Sequence, residues 1–116
     1  MNVKICRNHF TTEEEAVAEI ERAGLHAAAI DIPAVENDFH WHDFDAKIYV
    51  VSGELNVQGR DGGEKYTLSA GDMAEAIAGL VHRERHNGFR GVFGLSVPPA
   101  ELTMPIDKSP DLLDRK

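Results

Sequence analysis

The amino-acid sequence predicts a mostly β domain, a sandwich or barrel, with one short α-helix near its N-terminus. Three observations predict it. One segment alone has helical periodicity, a succession of short runs rich in Val, Ile, Tyr and Leu follows it, and Gly, Asp, Asn and Pro separate those runs. With 116 residues the chain is sized for one domain, 1–116, and only facing sheets let so many short strands bury their apolar faces.

The helix comes first. Thr11-Thr12-Glu13-Glu14-Glu15 places a hydroxyl three residues ahead of a carboxylate twice over, the capping-box pattern that satisfies free N–H groups at a helix start. Ala16, Val17, Ile20 and Ala23 then recur at helical spacing, with Glu13, Glu14, Glu15, Glu19, Glu21 and Arg22 on the other face and Gly24 as the stop. The helix is therefore assigned to 11–24.

The β region is expected over 27–97, with strands near 27–32, 39–42, 47–52, 54–58, 64–68, 73–77, 82–86 and 90–97. Gly59-Arg60-Asp61-Gly62-Gly63 and Ser69-Ala70-Gly71-Asp72 read as turns, because Gly and Asp tolerate positive φ. Beyond Pro98-Pro99 the chain is low in apolar residues and rich in proline, so 98–116 is expected as a peripheral tail from which Leu112 and Leu113 could dock on a neighbour.

Composition narrows the function classes. No apolar run approaches the roughly 20 residues that cross a bilayer, and Met1-Asn2-Val3-Lys4-Ile5-Cys6 lacks the pattern of a secretory leader, so no membrane partner and a cytoplasmic location are expected. Cys6 is the only cysteine and forms no internal disulfide, in keeping with a reducing compartment. Twenty acidic residues against twelve Lys and Arg give a formal charge of -8, the wrong sign for neutralising phosphates, so no nucleic-acid partner is expected. Arg83, Arg85 and Arg90 make a local basic stretch that reads as a solvated strand face in preference to a site for a small anion.

His40-Trp41-His42 is the first chemically informative feature. Alternate residues of a strand share a face about 6 to 7 Å apart, so two imidazoles could share one ion. On the tripeptide alone, that reading and chance spacing stand equal. The continuation His40-Trp41-His42-Asp43-Phe44-Asp45-Ala46-Lys47-Ile48-Tyr49-Val50-Val51-Ser52-Gly53, with Gly71 and Gly79-Leu80-Val81-His82 later, resembles the cupin family: Gly53, Gly71, Gly79 and His82 fall on the spacing of its two motifs.

The resemblance implies a cupin-type jelly-roll β-barrel in which His40, His42 and His82 converge on one divalent metal ion. Iron is the first expectation, with Mn, Ni, Zn and Cu also compatible with imidazole ligands. Ala46 stands where the family carries a Glu ligand, Ile77 where its second motif has proline, and His86 where some members have Asn. Three neutral ligands would leave the full charge of the ion facing the cavity. That resembles the three-histidine iron centres of the diketone-cleaving and cysteine dioxygenases, and implies an iron-dependent dioxygenase-like enzyme for a small anionic or enolisable compound. A non-catalytic small-molecule or metal-sensing module, and a Zn- or Mn-dependent isomerase or hydrolase, are the alternatives.

Glu84 follows His82 by two residues and should share its face. It reads equally as a replacement ligand, as an outer group orienting an imidazole or moving a proton, or as a strand-end partner of Arg83 or Arg85. His86 extends the same face, and the two are the candidate catalytic residues. Asp43 and Asp45 read as turn residues, Trp41, Phe44 and Tyr49 as packing, and His9 and His26 as surface. The resemblance also implies a homodimer, with 27–32 completing a partner's sheet edge.

Overall fold

The computed structural model describes residues 4–60, 64–101 and 108–110. Among these residues nine strands and one α-helix run in the order β1 (Lys4–Cys6), α1 (Glu13–Arg22), β2 (His26–Ile32), β3 (Val35–Glu36), β4 (Ala46–Gly53), β5 (Leu55–Gly59), β6 (Lys65–Leu68), β7 (Met73–Ala76), β8 (His82–His86) and β9 (Phe89–Leu95). All pairings are antiparallel. Five strands form one sheet in the order β1-β7-β4-β9-β2, and four form the other in the order β3-β8-β5-β6.

The helix begins where the capping pattern places it. Thr12 Oγ1 accepts from Glu15 N at 3.2 Å, and the two side chains also meet at 3.3 Å. Ala16 and Ile20, one turn apart, are fully buried against Phe10, Tyr49, Met73 and Val92. Gly94 permits this approach, since a Cβ there would lie 3.0 Å from the Ile20 side chain. Arg90 then clamps the helix to β9 through two bonds to Glu13 at 2.9 and 3.2 Å.

Period-two alternation splits each strand of the five-stranded sheet between two cores. Tyr49 and Val92 face the helix, while Val50, Ala74 and Phe89 face the other sheet and meet Leu55, Val57 and Leu68. A third buried group, Phe44, Ala46 and Leu95, lies at the start of β4 and the end of β9.

The expected barrel takes the form of a jelly-roll-like pair of facing sheets. Among the described residues the outer strands β1, β2, β3 and β6 each pair on one side, so the sheets are not joined into a closed barrel. The strand expected over 39–42 is reduced to single bridges, His40 with His82 and Trp41 with Lys108. β1 and β3 were not foreseen, being too short to develop a period. Asp72 N bonds Ser69 O at 2.9 Å and Gly71 has φ of 97°, as that turn requires. The other turn closes through Gly59 N and Glu64 O at 2.9 Å, with 61–63 outside the described residues, as are Leu112 and Leu113. No helix among the described residues is long and apolar enough to cross a membrane.

Candidate metal centre

β8 presents His82, Glu84 and His86 to the interior by strict alternation, while Arg83 and Arg85 are exposed on the other face. Beside β8 the main chain of His40 closes a bonded pair with His82, N–H to O at 2.8 Å in both directions. His42 is held from its own carbonyl, which accepts from Gly79 N at 2.9 Å. The three imidazoles consequently meet, with centroids 4.5 Å apart for His40 and His82, 5.0 Å for His40 and His42, and 5.1 Å for His42 and His82. Phe44 stacks on His42 at 5.1 Å.

Glu84 completes the group. One ligand atom from each of His40, His42, His82 and Glu84 lies within 4.8 Å of the others, so the four side chains could hold a metal ion. Of the three readings open for Glu84 in the sequence, the Arg pairing does not occur: Arg83 bonds Gln58 at 2.9 Å and Arg85 meets Glu36 at 3.2 Å. Arg90 is engaged by Glu13 and Asp31. The basic stretch is thus taken up locally, by the Gln58 amide for Arg83 and by carboxylates for Arg85 and Arg90.

The donor set fits a cation for a specific reason. His40 Nδ1 lies 2.8 Å from Asp38 O and His82 Nδ1 lies 2.9 Å from Leu80 O. A carbonyl only accepts, so both rings carry a proton on Nδ1 and present Nε2 to the cluster, the arrangement common to metal-ligating histidines. Those two Nε2 atoms face Glu84 Oε2 at 3.3 Å and Oε1 at 3.2 Å. In neutral rings this opposes lone pair to lone pair, and a proton on each ring or one shared metal ion removes the conflict. His40 and His82 are about 5% and 4% exposed, so bulk water does little to relieve it. Burial works against ionisation of Glu84, but bonds to His40 and His82 and the charges of His82 and His40 prevail and hold its carboxyl well below the usual carboxylate range.

Asn37 was not foreseen. Its Nδ2 donates to Glu84 Oε2 at 2.9 Å, its Oδ1 accepts from Glu84 N at 2.8 Å, and its own N–H reaches Glu84 O at 3.3 Å. In the sequence it looks like one more polar loop residue between Glu36 and Asp38. His86 is buried and its Nδ1 accepts from Gly88 N at 3.1 Å, which leaves the ring proton on Nε2. Burial lowers its pKa, with the Glu84 charge acting the other way. A cavity of about 860 Å³ runs along the four-stranded sheet, and its walls include Glu84 and His86 but not the three clustered histidines.

The remaining sequence readings fall as follows. Ala46 is buried with Phe44 and Leu95, and Tyr49 is fully buried under the helix. Asp45 Oδ1 accepts from Ala78 N at 2.8 Å, a structural tie between the two motifs. His9 is exposed and lies 2.7 Å from Glu19, and His26 is exposed.

A family model described as a cupin domain matches residues 30–97. Among solved structures the chain is similar to a DUF861 family protein from Thermotoga maritima, at 22% identity and a TM-score of 0.58 over 81% of this chain and 99% of that one. A cupin-2 domain protein from Shewanella frigidimarina matches at 23% identity and a TM-score of 0.52, over 62% of this chain and 69% of that one. The DMSP lyase DddQ from Ruegeria pomeroyi matches at 22% identity and a TM-score of 0.55, over 68% of this chain and 41% of its own. At these identities the likeness is one of fold. A search of curated proteins finds no match.

Proposed function

This chain belongs to the cupin family, and from that premise we propose that it is a metal-dependent enzyme of the dioxygenase type for a small anionic or enolisable compound. His40, His42, His82 and Glu84 would hold the ion, iron by first preference. The observation that carries the reading is the carboxylate of Glu84 set 3.2 and 3.3 Å from two imidazole Nε2 atoms, an array that a cation reconciles. When bound, the ion supplies Lewis-acid chemistry and, if iron, redox chemistry.

The protein's own groups have separate tasks in this reading. Asp38 O and Leu80 O aim the His40 and His82 rings, and Asn37 holds Glu84. Phe44, buried and stacked on His42, presents an apolar surface to that ring. His86, which keeps its ring proton on Nε2, lies two residues from Glu84 on the same face of β8, and so is a candidate proton donor to substrate.

A second reading is favoured by the same Glu84. Its charge offsets part of the ion's, which suits a Zn- or Mn-dependent isomerase, hydrolase or lyase that needs no dioxygen. Elemental analysis of freshly purified protein beside the His82→Ala variant tests both. A stoichiometric metal ion in the first and its loss in the second is expected, and equal metal content in the two, or none in either, would overturn the proposal. Oxygen uptake with enolisable acids as substrates then separates the first reading from the second, and tight ligand binding without turnover would mark a sensing module. We also propose a homodimer through β2, an edge strand whose Ile30 is 43% exposed.

A further inference from the structure

We infer that residues 108–110, which lie beyond the stretch the cupin model covers, are a latch that positions His40 and His42. Trp41 stands between those two residues. Its main chain closes a bonded pair with Lys108, N–H to O at 3.0 Å in each direction, and its indole Nε1 donates to Ser109 O at 2.8 Å. Lys108 is only 8% exposed, and its Nζ lies 3.9 Å from Oδ2 of Asp43, the residue after His42.

On the opposite edge His40 is paired with His82 in the same closed manner at 2.8 Å. Residues 40 and 41 therefore form the middle rung of a three-row ladder, with β8 on one side and Lys108 on the other. This short segment is not a strand in its own right, and pairing on one edge alone would leave it free to twist. Successive side chains of extended backbone point to opposite faces. Docking the Trp41 indole on Ser109 thus turns His40 and His42 the other way, toward His82 and Glu84.

The latch rests on the metal-centre reading only for its effect on metal binding, since the positioning itself is carried by bonds within the chain. Lys108→Pro removes the N–H that reaches Trp41 O, Lys108→Ala keeps every main-chain bond, and a chain ending at Glu101 removes the segment. Amide exchange at His40 and His82 is the first readout, because their bonding partners survive in all three variants. Exchange about tenfold faster is expected in the proline and truncated variants and not in the alanine one. The Co²⁺ dissociation constant should rise by about tenfold in the same two. Trp41→Phe, which deletes only the indole bond, keeps the test decisive if proline unfolds the chain, and should speed exchange by about threefold. Unchanged exchange at His40 and His82 in every variant that folds would overturn the inference. Faster exchange in a protein that binds no Co²⁺ in any form would uphold the latch and sink the metal centre.

Discussion

Replacing Asn37 with alanine isolates the support beneath Glu84. The substitution removes two side-chain bonds, Nδ2 to Glu84 Oε2 at 2.9 Å and Glu84 N to Oδ1 at 2.8 Å. A bond to an ionised acceptor contributes about 1.5 to 3 kcal/mol, and a main-chain N–H left without its partner inside the protein costs about 1 to 3 kcal/mol. Both sites are part-buried, so water recovers some of the loss. A destabilisation of about 2 to 4 kcal/mol follows. With a urea slope of about 1.5 kcal/mol per molar, the midpoint of the metal-free protein should fall by about 1.3 to 2.7 M. Co²⁺ affinity should fall by about ten- to a hundredfold, the usual effect of losing a group that orients a metal ligand. Asn37→Asp separates the two bonds: it keeps an acceptor for Glu84 N but sets a second carboxylate against the first, so it should bind Co²⁺ no better than Asn37→Ala. A midpoint for Asn37→Ala equivalent to within about 0.5 kcal/mol of wild type, with unchanged Co²⁺ affinity, would refute the assignment of Asn37 as the support of Glu84.

Three other expectations are independent of the metal. Burial opposes ionisation of Asp72, but bonds from Ser69 N, Asn8 N and Arg7 prevail and lower its pKa. A carboxylate depressed in the folded state adds stability that is complete above its unfolded value near about 3.9 and is lost as pH falls through the folded one; Asp72→Asn should flatten the fall in urea midpoint over that acid window, and an unchanged acid profile would contradict this. Gly53 has φ of 87° and a Cβ there would sit 3.0 Å from Gly88 O, whereas Gly79 has φ of 84° with nothing within 4 Å; thermal melts should show Gly53→Ala costing about 2 to 3 kcal/mol and Gly79→Ala about 1 kcal/mol. Ile30→Lys places a charge on the exposed β2 edge and should shift a dimer to monomer in light scattering, an outcome that a monomeric wild type would make impossible.

Most of the fold was legible because its signals are local. The Thr12 cap, the Ala16 and Ile20 spacing, and the glycine turns are each written within a few residues, and they place α1 and the strands from β4 to β9 close to where they lie. The site was legible where alternation along β8 carried it: His82 and Glu84 had to share a face. What stayed hidden depends on distant partners. The segment around His40 has strand-like composition but takes its shape from His82 on one edge and Lys108 on the other. Asn37 gives no local sign of its role, because its partner lies 47 residues away. The open edges that keep the sheets from closing into a barrel are likewise a matter of which strands meet, which periodicity does not encode.

Of the three departures from the family motifs, the one at Ala46 bears most on the proposed centre, and the surroundings of that position account for it. Position 46 lies on β4, opposite Ala76 and Leu95, and is packed with Phe44 and Leu95. A glutamate at that site would rest its charge against apolar neighbours, where each unpaired oxygen is expensive. Position 84 lies on the opposite sheet, across from Val57 and one alternation beyond His82. There the same charge receives a bond from Asn37 at Oε2, and a proton or cation shared with the two imidazoles would compensate the burial of both oxygens. In the proposed centre, a carboxylate on β8 would gather every candidate donor group onto that strand and the short segment bonded to it. Such a centre would depend on the pairing of β8 with residues 40 to 42 more than on the distance between the two sheets, so a sandwich with open edges could hold it.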